Sequence, residues 1–234
     1  MNNNATTNTK TTSKTRQKRT QTHDRHKRFV KWIIETFPHI KSSETSADNS
    51  RHVLDIASGK GETAARLAMC HQVKVMMIEP RIANVEQTYK SKVLSKLPIK
   101  WQKSMEAHLI SNPDFIHDKL STLVSQIHMC FTDDTVANDI YLQDALNNAS
   151  LLIGLHADNA TEAVIDAALQ YRLPFIVVPC CVFGTSFPNR RLNGKHVIEY
   201  EEFIQYLLQK DCRFKKEVLP FPGRNIAIWW DGKD

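Results

Sequence analysis

The chain has 234 residues, is 41% hydrophobic and 24% charged, and carries a formal net charge of +6. That length suits one domain with a full core. With no apolar run of about 18 residues a membrane-spanning helix is excluded, and no apolar segment near the N-terminus predicts a secretory signal. None of the five cysteines is spaced C-x-x-C, so neither a disulfide framework nor a metal site is expected. A reducing compartment, cytoplasmic or nuclear, fits that usage.

The charge is unevenly placed. Residues 1–28 hold eight basic side chains and one acid, which leaves the other 206 residues with 23 basic and 24 acidic groups. Residues 1–23 have almost no apolar side chains and cannot offset their ordering entropy, so a disordered basic tail is predicted there. Such an arm can contact phosphates without sequence preference or serve only as a solubilising tail. It lacks the amphipathic face of a mitochondrial presequence. From residue 24 the pattern changes: Phe29, Ile33 and Phe37 recur every fourth position, beside Val30 and Ile34, and predict a helix over 24–37 that Pro38 stops. That helix packs on the sheet edge or covers a ligand cleft. A polar connection follows over 41–50.

The stretch His52-Val-Leu-Asp-Ile-Ala-Ser-Gly-Lys-Gly-Glu-Thr63 predicts a buried strand over 52–56, a small-residue turn over 57–61 and a helix from Glu62. Strand, glycine turn and helix form half of a doubly wound nucleotide site. Gly59 and Gly61 let the backbone approach a ligand, and the helix aims unpaired N–H groups at it. Lys60 lies between the glycines rather than after them, which argues against a phosphate-cradling loop. The segment Asp55-Ile-Ala-Ser-Gly-Lys-Gly61 resembles the D-x-G-x-G-x-G turn of class I S-adenosylmethionine-dependent methyltransferases, with Ala57 in place of the first glycine. The resemblance implies that Asp55, Ala57, Ser58, Gly59 and Gly61 bind S-adenosyl-L-methionine.

Val73 to Pro80 reads as a buried parallel strand ending at Glu79, 24 residues after Asp55. A carboxylate there accepts from both ribose hydroxyls of a nucleoside, or else caps a helix at the surface. Residues 81–90 read as the next helix, and Asn112-Pro-Asp114 as the start of another. A strand over 126–131 ends at Thr132-Asp-Asp134, where the resemblance implies that Asp133 receives the adenine amino group. A short helix is read over 139–149.

Leu151 to Leu155 and Pro174 to Phe183 read as further buried strands, with a helix between them running to Tyr171. His156, Asp158 and Cys180 fall at their carboxyl ends, the edge where such sheets bind ligands. Leu155-His156-Ala157, Ala160-Thr161-Glu162 and Pro179-Cys180-Cys181 resemble one methyltransferase group, marked by L-H-A-C-G-x-A-T-D and P-C-C. That group includes a tRNA ribose 2′-O-methyltransferase and the methyltransferase part of the glutathione S-transferase C-terminal domain-containing protein. Here Asp158-Asn159 replaces its Cys-Gly, with one residue missing. His156 and Asp158 are the candidate catalytic residues, as general base or substrate hydrogen-bonding groups; a strand-end histidine that only holds the loop is the alternative. Cys180 is a candidate substrate-pocket thiol rather than a nucleophile.

Residues 184–196 read as a polar loop carrying Arg190, Arg191, Lys195 and His196. With Phe187 they could hold a phosphate and stack a base, or form a solvated surface. A helix over 200–210 and strands over 213–219 and 225–230 resemble the terminal hairpin of the methyltransferase sheet. The predicted fold is therefore α/β: a Rossmann-like, seven-stranded class I methyltransferase sheet with an antiparallel last strand, occupying 24–234. The expected function is methyl transfer to RNA, tRNA or rRNA, with RNA contacted by the basic tail and the 184–196 loop. No membrane contact is expected. A non-catalytic binding module and a protein or small-molecule methyltransferase are the alternatives.

Overall fold

Val53, Leu54 and Ile56 are wholly buried, and their alternation explains the centre of the fold. Val53 packs with one hydrophobic cluster and Leu54 with another, so the strand that carries them has a core on each face. The computed structural model describes residues 24–41 and 51–234. The tail over 1–23 and most of the connection over 41–50 lie outside the described residues.

In chain order the elements are α1 (Arg25–Thr36), β1 (His52–Ile56), α2 (Glu62–His71), β2 (Val75–Ile78), α3 (Val85–Thr88), α4 (Ile99–Ser111), α5 (Phe115–Leu123), β3 (Val124–Ile127), α6 (Asp133–Asn138) and α7 (Ile140–Asn147). They continue with β4 (Ala149–Leu155), α8 (Thr161–Tyr171), β5 (Phe175–Val178), β6 (Arg191–Leu192), β7 (Lys195–His196), α9 (Tyr200–Leu208), β8 (Lys215–Val218) and β9 (Ile226–Trp230). Seven strands form one sheet in the order β3-β2-β1-β4-β5-β9-β8, and β6 and β7 form a separate two-residue ribbon. Strands β1 to β5 run parallel; β9 is antiparallel to β5, and β8 to β9. This is the predicted fold class.

The chain winds outward from β1 through β2 to β3, then returns to β4 on the other side of β1. The switch point therefore lies between β1 and β4, where a crevice opens at the strands' carboxyl ends. One face is covered by α1 and α2: Phe29, Ile33, Ala64 and Leu67 meet Val53, Met77, Leu151, Ile153 and Ile176. The other is covered by α7, α8 and α9: Leu142, Val164 and Phe203 meet Leu54, Leu152, Phe175 and Val177.

Several boundaries differ from the sequence reading. The helix expected from residue 81 begins at Val85, because Glu79 and Gln126 hold the amides of Arg81 and Ala83 and Asn84 caps the helix through Gln87 N–H. It continues as a wide turn over Tyr89–Val93. The helix Ile99–Ser111 is an element the sequence analysis does not contain; it buries none of its residues, and its apolar Trp101, Met105 and Leu109 stay exposed or half-buried. Strand β3 occupies Val124–Ile127 rather than 126–131, since only those four residues pair with β2.

Two glycines with positive φ separate conformational from packing demands. A Cβ on Gly61, at φ +75°, would lie 2.9 Å from Met77 Cε and 3.1 Å from Val85 Cγ2, whereas one on Gly194, at φ +79°, would meet nothing within 4 Å. Gly61→Ala is expected to cost about 2–3 kcal/mol, combining left-handed strain with overpacking against β2, and Gly194→Ala about 1 kcal/mol from strain alone. Urea unfolding of the two variants measures the difference; equal losses would show that the turn is not packed against Met77.

Candidate cofactor cavity

Backbone bonds continue past the strand ends, joining β1 to β2 (Ala57 N–H to Ile78 O at 2.9 Å), β2 to β3 (Glu79 N–H to Ile127 O at 3.2 Å) and β4 to β5 (His156 N–H to Val178 O at 3.0 Å). These bonds bring the expected residues to one edge. A cavity of about 640 Å³ opens there, lined by Ala57, Ser58, Gly59, Arg81, His156, Asp158 and Cys180, among others. Its size is within the range of small-molecule sites.

The glycine turn forms one wall. Ala57, Gly59 and Gly61 all have positive φ, so Ala57 holds with a Cβ the left-handed conformation that glycine takes freely. Gly59 N–H donates to Glu79 Oε2 at 2.9 Å, and the Arg81 amide and Nε donate to Oε1 at 3.3 and 2.7 Å. Glu79 is only 2% exposed and reaches the cavity through these two partners. Burial would raise its carboxyl, but the hydrogen bonds from Arg81 and the Gly59 amide outweigh burial and hold it below the usual carboxylate range. Gly61 lies behind this wall, against Met77.

Two polar atoms beside the turn are buried and have no hydrogen-bond partner among the described residues: Asp55 Oδ2 and Ser58 Oγ. Open space also stands over Gly59, where a Cβ would touch nothing within 4 Å. Unsatisfied buried acceptors and an uncovered glycine turn are what a polar ligand at this edge requires. Burial pushes the Asp55 carboxyl up to about 8, with the nearby Glu79 charge adding to the rise and the Ala64 amide opposing it.

The opposite wall is the turn after β4. His156 and Asp158 both take positive φ. His156 Nε2 bonds the Arg224 carbonyl at 2.9 Å, so Nε2 carries the proton and Nδ1 accepts from Arg25 at 3.4 Å. Burial lowers its pKa, and the Arg224 carbonyl only partly offsets this, leaving a neutral ring with both nitrogens engaged. Asp158 Oδ1 accepts from Cys180 Sγ at 2.9 Å; burial and that contact raise the thiol's pKa. Helix α1 closes the mouth as well as packing on the sheet, since Arg25 and His26 line the cavity. His26 Nδ1 bonds Thr63 Oγ1 at 2.9 Å, and burial beside Arg25 and Arg66 lowers its pKa to about 3.

Two expected residues stand elsewhere. Asp133 opens α6 and lines a second cavity with Glu162, Asp166, Arg190 and Tyr206. Strand β3 ends six residues before it, so Asp133 is not the strand-end acid expected. Arg190, read as a phosphate-binding loop cation, is 4% exposed. Its Nε donates to Glu162 Oε2 at 2.6 Å, and its guanidinium lies over the rings of Phe187 and Phe203 at 3.7 and 4.6 Å. The ion pair satisfies a charge that burial would otherwise penalise, which removes Arg190 from phosphate contact. Arg191 remains exposed, bonded to the backbone of Arg190 and Pro188.

The sequence reading missed the cationic mouth. Arg25, Lys60, Arg81 and Lys92 line the cavity, and Lys92 belongs to a run with a legible signal: the 19 residues between Glu86 and Glu106 contain five lysines and no acid.

Residues 17–184 match the family described as "Methyltransferase domain". The chain belongs to the methyltransferase domain family. It is an S-adenosylmethionine-dependent methyltransferase by that membership. Among solved structures, the methyltransferase is similar to the methyltransferase domain of bacterial CtHen1, with 11% identity over 87% of this chain and 97% of that one and a TM-score of 0.46. It is also similar to the N-terminal domain of human METTL16, with 13% identity over 88% and 69% of the chains and a TM-score of 0.47. A third similarity is to a mutant of MtNAS in complex with S-adenosylmethionine, with 10% identity over 87% and 62% and a TM-score of 0.41. No curated protein matches the methyltransferase.

The raised Asp55 pKa has a defined effect on stability. Below pH 3.8 the carboxyl is protonated in both folded and unfolded chains; between 3.8 and about 8 only the unfolded chain is ionised, so stability is lost as pH rises through that window. Asp55→Asn removes the dependence. Its Tm should exceed that of the natural protein by a margin that widens from pH 5 to pH 8; parallel Tm profiles would show that Asp55 ionises normally in the fold.

Proposed function

We propose that this methyltransferase transfers a methyl group from S-adenosylmethionine to RNA, with the donor held against the β1–α2 turn. The observation that carries the reading is the pairing of that turn with a cationic mouth. Asp55 Oδ2 and Ser58 Oγ are buried polar atoms without partners among the described residues, and Gly59 is uncovered. Glu79 offers its remaining acceptor capacity to ribose hydroxyls, since a carboxylate has about four lone-pair sites and three donors occupy it here. When bound, S-adenosylmethionine supplies a methyl group already activated on a sulfonium. The chain's own task is to align the acceptor atom and receive its proton.

Asp158 is suited to the proton. Its Oδ1 is engaged by Cys180, and Oδ2 has no hydrogen-bond partner among the described residues. His156 acts as a positioning residue: its bonds tie Arg25, at the mouth, to the Arg224 carbonyl before β9.

The acceptor class follows from charge and an aromatic platform. Lys60 and Lys92 line the cavity, and beyond them Lys96, Lys100 and Lys103 are exposed. None of these five forms an ion pair among the described residues. Trp101 is 62% exposed between Lys100 and Lys103 on α4. Lysines that track phosphates beside an exposed aromatic ring that stacks a base are the elements of single-stranded nucleic acid binding. The sequence resemblance to a tRNA ribose methyltransferase points the same way, as does the basic tail.

Two measurements test the reading. Calorimetry should show S-adenosylmethionine binding that weakens at least tenfold in Glu79→Ala; no binding by the natural protein would reject the donor site. Methyl label from the donor should enter the RNA fraction of a cell extract. Combined Lys92, Lys96, Lys100 and Lys103→Ala should lower RNA affinity and reduce the log–log salt slope by about 2–3, at roughly 0.7 per lost contact. Label entering only protein or metabolites, or donor binding with no transfer, would reject the RNA reading and favour another acceptor or a binding module.

A further inference from the structure

The carboxyl end of β5 and the turn after β4 bring together three donor atoms that the methyl-transfer reading does not use as a set. Cys180 Sγ lies 2.9 Å from Asp158 Oδ1. The ligand atoms of Asp158, Cys180 and Cys181 all lie within 4.8 Å of one another. We propose that these three residues bind a soft divalent cation, zinc, at the wall of the cavity.

The donor chemistry selects the ion. Two thiolates and one carboxylate suit zinc, whereas magnesium and calcium take all-oxygen sets. Zinc–sulfur and zinc–oxygen bonds of roughly 2.3 and 2.1 Å put tetrahedral donors about 3.5–3.8 Å apart. The present spacing reaches that by side-chain rotation, for which the exposed Asp158 and Cys181 are free. Binding replaces the two thiol protons, which pass to solvent, so the site gains a cation and loses two protons.

The placement gives the site a direction. Asp158 and Cys180 both line the cavity. Three protein donors leave a fourth position, the arrangement of catalytic rather than closed structural zinc sites. That position would take water or an acceptor oxygen. Among the described residues no other three His, Cys, Asp or Glu side chains converge in this way. Cys70, Cys130 and Cys212 are exposed and free.

The test uses the full chain, stripped with chelator under reducing conditions and titrated with cadmium, then with competing zinc. One equivalent should saturate an ultraviolet thiolate-to-cadmium charge-transfer band, with two protons released per cation, and zinc should displace the cadmium. Cys181→Ser should halve the band and weaken binding at least tenfold. Asp158→Asn should weaken binding and leave both thiolate contributions in place, while Cys70→Ser and Cys212→Ser should change nothing. Circular dichroism confirms that each variant is folded; should Cys181→Ser fail to fold, Asp158→Asn decides. A natural protein without a saturable band, or a band unchanged in Cys180→Ser and Cys181→Ser, overturns the proposal.

Discussion

One hydrogen bond joins the two strand ends on which the cavity depends: Gly59 N–H to Glu79 Oε2, at 2.9 Å. It spans the turn after β1, where Gly59 adopts φ +58°, and the end of β2. The Ala57 amide, bonded to Ile78 O, fixes the same junction from the other side of the turn. The turn is thus held rigidly open by its backbone, with a buried carboxylate behind it, and a ligand need not order it. Rigid support of this kind is what lets a site keep unsatisfied acceptors such as Asp55 Oδ2, whose burial costs stability at neutral pH.

Charge is distributed with the same economy. The body beyond residue 28 is near neutral in total, yet its cations are grouped. Arg190 and Lys210 pair with Glu162 and Asp166, in a half-buried network that also takes Tyr206 OH, and this network pins the loop after β5 to α8 and α9. Of the five lysines between Glu86 and Glu106, Lys92 lines the cavity and the other four are exposed. Helix α4 carries the outer ones while presenting Ile99, Trp101 and Ile110 uncovered. Arg66 links this segment to the site, bonding Glu62 in α2 and the Lys92 carbonyl. A near-zero net charge therefore conceals a polarised surface, and polarity rather than total charge governs encounter with a polyanion.

The amino-acid sequence by itself determined the sheet. Buried runs such as Val53–Ile56, Leu151–Leu155 and Phe175–Val178 are bounded by glycine, proline and polar turns, and hydrophobic burial leaves such runs little choice but a covered parallel sheet. It also determined the glycine turn and the acid one strand away, because positive φ and a strand-end carboxylate are local demands with local signatures. Tertiary structure alone decided which charges are available. Arg190 and Lys92 look alike along the chain, but Glu162, 28 residues from Arg190, neutralises the first, while the second forms no ion pair among the described residues. It also decided that α1 both packs and closes the mouth, that Asp133 faces a different cavity, and that Asp158 meets Cys180 across 22 residues. These are contacts between side chains distant in sequence, set by how strands stack and turns aim, and periodicity in one dimension carries no record of them.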